Sequence, residues 1–183
     1  MKHILSLIIF LCLFAQLCDA QVRNTQRIQN IREYQAFYDS IAPLLKLAEK
    51  DTSNYIGKPF SELVKSLDKY GVKIQQIWLS DYEWERVNPQ HLWGISLHFT
   101  TMEDVAFARV RNLKRPYIIV RFNESKPYEE ALSLHLKYQR CFEGEYEKFY
   151  SDATIKSIVF INIDSENIRF PPRYVGEPQF IDD

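Results

Sequence analysis

The sequence predicts an α+β fold with N-terminal helices, a three- to five-stranded, mainly antiparallel sheet, and one long helix packed on one face. Apolar residues recur at three- and four-residue steps before position 70 and again after position 127. Between these stretches, and once more near the C-terminus, short apolar or alternating runs read as strands. Strands grouped between helices point to an α+β two-layer arrangement.

Residues 1–20 read as a secretory signal. Lys2 and His3 form a basic start, Ile4 to Leu17 is almost continuously apolar, and Cys18-Asp19-Ala20 offers small residues before cleavage at Gln21. The apolar run is short of the ~20 residues a spanning helix needs. No stable membrane anchor is therefore expected once the signal is removed. Residues 21–164 form one α+β domain in this reading, and residues 165–183 an extended tail containing Pro171, Pro172 and Pro178.

Residues 26–50 carry Ile28, Ile31, Tyr34, Tyr38, Ile41, Leu45 and Ala48 on one helical face. Pro43 lacks a backbone donor, so a split is expected there, with Asp39 or Ser40 capping the second piece. Pro59 to Tyr70 is the clearest helix. Pro59 suits its first turn, Phe60, Leu63, Val64, Leu67 and Tyr70 form its stripe, and Gly71 suits its left-handed end.

Val72 to Leu79 reads as the first strand. In Leu92 to Thr100, Trp93, Ile95, Leu97 and Phe99 alternate with Gly94, Ser96, His98 and Thr100. Val105 to Val110 reads as a short strand, and Asn112 to Pro116 as a hairpin connection. Arg109, Arg111, Lys114 and Arg115 would make that hairpin basic. Tyr117 to Phe122 follows as a buried strand. Pro127 to about Phe142 is helical, with Glu129 and Glu130 in its first turn, and Glu143 to Tyr150 extends it or forms a second short helix. Ile155 to Ile163 is the last strand.

Composition narrows the function classes. With 23 basic and 24 acidic residues, the net charge of −1 argues against nucleic-acid binding. Of the three cysteines, only Cys141 lies beyond the signal, so the mature chain forms no internal disulfide. Exported eukaryotic domains often carry bridges, so this tilts the reading toward a bacterial periplasmic or secreted protein. Asn123-Glu124-Ser125 would be a glycosylation sequon in a eukaryote and silent in most bacteria.

No zinc-binding, paired-cysteine, nucleophile-elbow or phosphate-loop motif occurs, so no metal or cofactor is expected. Four residues are ligand-binding candidates. Tyr82 and Trp84 lie in a loop beside Asp81, Glu83 and Glu85, where aromatic platforms next to carboxylates can stack on sugars or cationic groups. The competing role for both rings is closing over the end of the sheet. His135 falls at the centre of the helical stripe of Tyr128, Ala131, Leu132, Tyr138 and Phe142, and reads first as a core histidine bonded to a carbonyl or a Tyr hydroxyl. His98 shares a strand face with Ser96.

Tyr55, Ile56, Gly57, Pro59, Phe60, Leu63, Val64 and Leu67, running into a strand, resemble the opening of uncharacterised exported bacterial domains. The same segment is similar to the helix opening of small outer-membrane assembly lipoproteins and beta-lactamase-inhibitor-like domains. The resemblance implies an exported α+β interaction domain and carries over no functional residue. The chain departs from the lipoproteins by lacking a lipobox, since Leu17 precedes Cys18. The expected function is an exported, non-catalytic module binding a protein or envelope polysaccharide. Its alternatives are a hydrolase built around His98 or His135 from distant segments, and a structural component of an envelope assembly.

Overall fold

The computed structural model describes residues 28–79, 90–164 and 168. The segment expected to be a signal, the segment with Tyr82 and Trp84, and all but one residue of 165–183 lie outside these residues. Among those described, five α-helices accompany one four-stranded antiparallel sheet, giving an α+β fold. No described helix is long and apolar enough to cross a membrane.

Helix α1 spans Ile31–Lys50. Asn30 caps it by accepting a hydrogen bond from the Glu33 amide at 2.9 Å. Tyr34, Tyr38, Ile41, Ala42, Leu45 and Ala48 are buried along its length. The split expected at Pro43 does not occur. Pro43 and Asp39, whose carbonyl loses its partner, are both exposed, so water can satisfy that carbonyl. The apolar stripe holds the helix together on either side. Ser40 does not act as a cap; its hydroxyl donates back to the Phe37 carbonyl at 2.7 Å.

Helix α2 spans Phe60–Lys69, with Pro59 before it and Phe60, Leu63 and Leu67 buried. Gly71 adopts φ +76°. Its amide bonds the Asp68 carbonyl at 2.9 Å and that of Val72 bonds Leu67 at 2.9 Å, which completes a Schellman ending.

The sheet runs β1 (Gln76–Trp78), β2 (His91–His98), β3 (Tyr117–Pro127) and β4 (Ile155–Ile161), each antiparallel to the next. β1 is shorter than Val72 to Leu79. β3 runs past Phe122 to Pro127, and its burial alternates, with Ile118, Val120 and Phe122 facing the core and Ile119 half-buried on the other side. A register shift interrupts β2 and β3 between Leu92 and Gly94. A Cβ at Gly94 would lie 2.6 Å from the Val120 carbonyl oxygen, so this close approach requires glycine.

The connection from β2 to β3 corrects two sequence expectations. Val105 to Val110 is not a strand but part of helix α3 (Met102–Val110). Thr101 and Asp104 form a capping box, and the Asp104 carboxylate also accepts from the Ile28 amide at 2.9 Å. That local hydrogen bonding, with Val105 and Ala108 buried one turn apart, outweighs the β-propensity of the segment. Asn112 to Pro116 is accordingly not a hairpin turn, and the basic residues form no hairpin tip. Arg109 lies in the last turn of α3, and Arg111 places its guanidinium 3.9 Å from the centre of the Phe107 ring.

The helix expected over Pro127 to Phe142 stops at Lys137, so α4 spans Tyr128–Lys137 and α5 spans Gly144–Tyr150. Gln139 and Arg140 adopt φ +50° and +71°, a left-handed pair that no helix continues through. The main core joins α2, Tyr146 and Tyr150 of α5 and the inner sheet face. A second cluster joins Tyr34, Tyr38 and Ala42 of α1 to Ala108, Leu113 and Ile168.

Candidate functional site

The sheet face turned away from the main core carries the first candidate. Cross-strand register places Gln76 opposite His98, Trp78 opposite Ser96 and His98 opposite Tyr117. These residues therefore share one face. His98 sits between two rings, 4.5 Å from Trp78 and 5.3 Å from Tyr117, nearly parallel to the latter. It is buried, and its Nε2 has no hydrogen-bond partner. Burial first, and the charge of Arg115 second, lower its pKa to about 4, so it is neutral at pH 7.

His135 lies half-buried on α4. Its Nδ1 is 3.1 Å from the hydroxyl of Tyr146, a fully buried core residue. Burial, and then Arg140, lower its pKa as well. A Tyr hydroxyl is one of the two partners the sequence allows for it, but the ring is half-buried rather than in the core. The structure does not join the two candidates, because His98 contacts Trp78 and Tyr117 whereas His135 contacts Tyr146. Neither is hydrogen-bonded to a Ser, Cys, Asp or Glu among the described residues. Tyr82 and Trp84 lie outside the description.

One serine–histidine contact escaped the sequence reading. Ser125 Oγ and His91 Nδ1 lie 3.1 Å apart on neighbouring strands. His91 is exposed, and no carboxylate among the described residues is hydrogen-bonded to it. No group of three or more His, Cys, Asp or Glu among the described residues is placed to hold a metal ion.

The second candidate is a cleft of about 730 Å³ beside β1. The left-handed pair Gln139 and Arg140 turns the chain from the end of α4 back to the sheet edge. The Arg140 carbonyl then accepts from the Ile77 amide at 3.0 Å, and the Phe142 amide donates to the Gln75 carbonyl at 3.3 Å. Gln76 and Cys141 form a β-bridge between these bonds. Gln75, Gln76, Thr101, Tyr138, Gln139 and Cys141 are among the residues facing the cleft. Gln76 is only 7% exposed, and its Oε1 has no partner. Lys137, at the margin, is paired with Glu145 at 2.5 Å.

Cys141 lines this cleft with a free thiol. Burial, and then the charge of Glu143, raise its thiol pKa, which keeps it protonated. Among the described residues its sulfur reaches the Gln139 carbonyl alone, at 4.0 Å. The cleft therefore offers donors, acceptors and aromatic surface, but no activated nucleophile. The sequence cue was the pair Gln75-Gln76 beside the apolar Ile77-Trp78-Leu79. A polar side chain in a buried strand needs a reason, and its approach to Gln139–Phe142 cannot be read locally.

No family model, curated protein or solved structure matches this chain.

Proposed function

We propose that the chain is an exported, non-catalytic binding module that engages a protein or polysaccharide of the cell envelope. The observation that carries this reading is the cleft beside β1, which has the size of a small-molecule site and hydrogen-bonding groups without an activated nucleophile. The histidine geometry supports it. A hydrolase centred on His98 or His135 needs a nucleophile or carboxylate in hydrogen-bond contact, whereas His98 is packed between rings and His135 is bonded to a tyrosine. The signal-like segment Ile4 to Leu17 and the near-neutral charge support export and a partner other than nucleic acid. The resemblance of the α2 opening to exported bacterial interaction domains agrees with both.

Sedimentation of the mature chain with a bacterial envelope preparation tests the reading. Saturable depletion from the supernatant is expected, with no turnover of chromogenic ester, peptide or glycoside substrates. Absence of saturable binding refutes the module. Turnover abolished by His98→Asn or His135→Asn would replace it with the hydrolase.

A further inference from the structure

The orphaned polar atoms around β1 point to the class of ligand. Gln76 Oε1, Trp78 Nε1 and His98 Nε2 are all buried and all unpartnered. They belong to one patch of one sheet face, since Gln76 pairs with His98 across the strands and Trp78 follows two residues on. Buried polar groups in folded proteins are almost always hydrogen-bonded. Each unpaired one costs about 1–3 kcal/mol, and of the three Gln76 is the one whose residue also lines the neighbouring cleft.

Gln76 connects this patch to the cleft, because it is more than nine-tenths buried and also lines the cavity. An amide oxygen without a partner calls for a ligand that donates an N–H or O–H. The residues lining the cleft do not favour an anion, for Lys137 is paired with Glu145 and Glu143 adds a carboxylate, while Arg140 lies behind the lining over the Trp78 ring. Gln75, Gln139 and Thr101 add uncharged donors and acceptors, and Tyr138 and Phe142 add aromatic surface. Planar amides, hydroxyls and rings together suit a hydroxyl-rich, uncharged molecule.

We infer that the cleft between β1, the start of α3 and the Gln139–Phe142 turn binds an uncharged saccharide unit, with Gln76 as an acceptor for one of its hydroxyls. This rests on the binding-module reading and narrows its partner to a polysaccharide.

An array of uncharged and acidic oligosaccharides, probed with the mature chain, is the test. Binding to uncharged members is expected, and Gln76→Met should weaken it at least tenfold. Methionine keeps the shape and removes the orphaned oxygen, so the melting temperature should be equal to or above that of the native chain. Gln139→Gly tolerates the left-handed backbone and should weaken binding through loss of the rim amide. Uncharged-sugar binding unchanged in both variants overturns the cleft assignment while leaving the binding module standing. Binding confined to charged oligosaccharides, or to none, overturns the inference. Saturable envelope binding would then point to a protein partner, and its absence would remove the module reading as well.

Discussion

His98→Phe is the substitution that most directly tests the electrostatics of the sheet. The native histidine is pinned between Trp78 and Tyr117, with an unpartnered Nε2 and a pKa of about 4. In the unfolded chain it titrates near 6.5. As pH falls from 7, the unfolded state therefore takes up a proton first, and the folded state resists protonation until about pH 4. Stability tied to the neutral imidazole is full above pH 6.5 and is lost progressively down to pH 4. The gap in pKa corresponds to about 3 kcal/mol, with a slope no steeper than about 1.4 kcal/mol per pH unit. Phenylalanine keeps the ring stack and carries no proton. Urea unfolding of both proteins from pH 7.5 to 3.5, followed by tryptophan fluorescence, gives the difference directly. Groups common to both, including His135 and the salt-bridged Glu145 and Asp152 with their lowered pKa values, cancel in that comparison. At pH 7 the variant should be as stable as the native chain or more so, because a buried unpaired nitrogen has gone. Its advantage should grow by about 3 kcal/mol toward pH 4. Parallel curves across this range would refute the argument, since they would mean that His98 is protonated as easily in the fold as in the unfolded chain.

Three further outcomes follow from the fold. Pro43→Ala should stabilise the chain by about 2 kcal/mol in urea melts, because α1 runs through Pro43 on its exposed side and alanine restores the missing hydrogen bond. Gly94→Ala should destabilise it by about 1–3 kcal/mol, as the new methyl meets the Val120 carbonyl oxygen at 2.6 Å and the β2–β3 pair must shift. Cys141 is an exposed free thiol with a raised pKa, so at pH 7.5 it should react with a disulfide reagent more slowly than free cysteine, and Glu143→Gln should speed the reaction.

Elements with a strong local signal were legible in the sequence. Helix α2 has its proline start, its buried stripe of Phe60, Leu63 and Leu67, and its glycine end in one continuous segment, and each was readable without knowing what it packs against. The α+β class followed because such segments outnumber the ambiguous ones. Errors arose where two local signals competed or where exposure decided. Val105 to Val110 looks like a strand by residue type, yet the box at Thr101 and Asp104 starts a helix whose inner side is closed by Val105 and Ala108. Pro43 looks like a break, and only its exposed position on α1 shows why the helix continues.

The candidate site was less legible because no part of it is local. His98 could be placed on a strand, but its partners come from β1 and β3, and their register is fixed by the fold rather than by any motif. The cleft depends on a turn through two non-glycine residues with positive φ, Gln139 and Arg140, followed by pairing with a strand more than sixty residues earlier. Such a turn is costly for residues with a Cβ. It is held by the bonds that Arg140 and Phe142 make with β1, and the same bonds bring Gln139 and Cys141 to face the cleft beside Gln76. One long-range pairing thus both offsets the backbone strain and assembles the wall of the cleft. If the cleft binds a ligand as proposed, that pairing would hold its hydrogen-bonding groups in place before the ligand arrives.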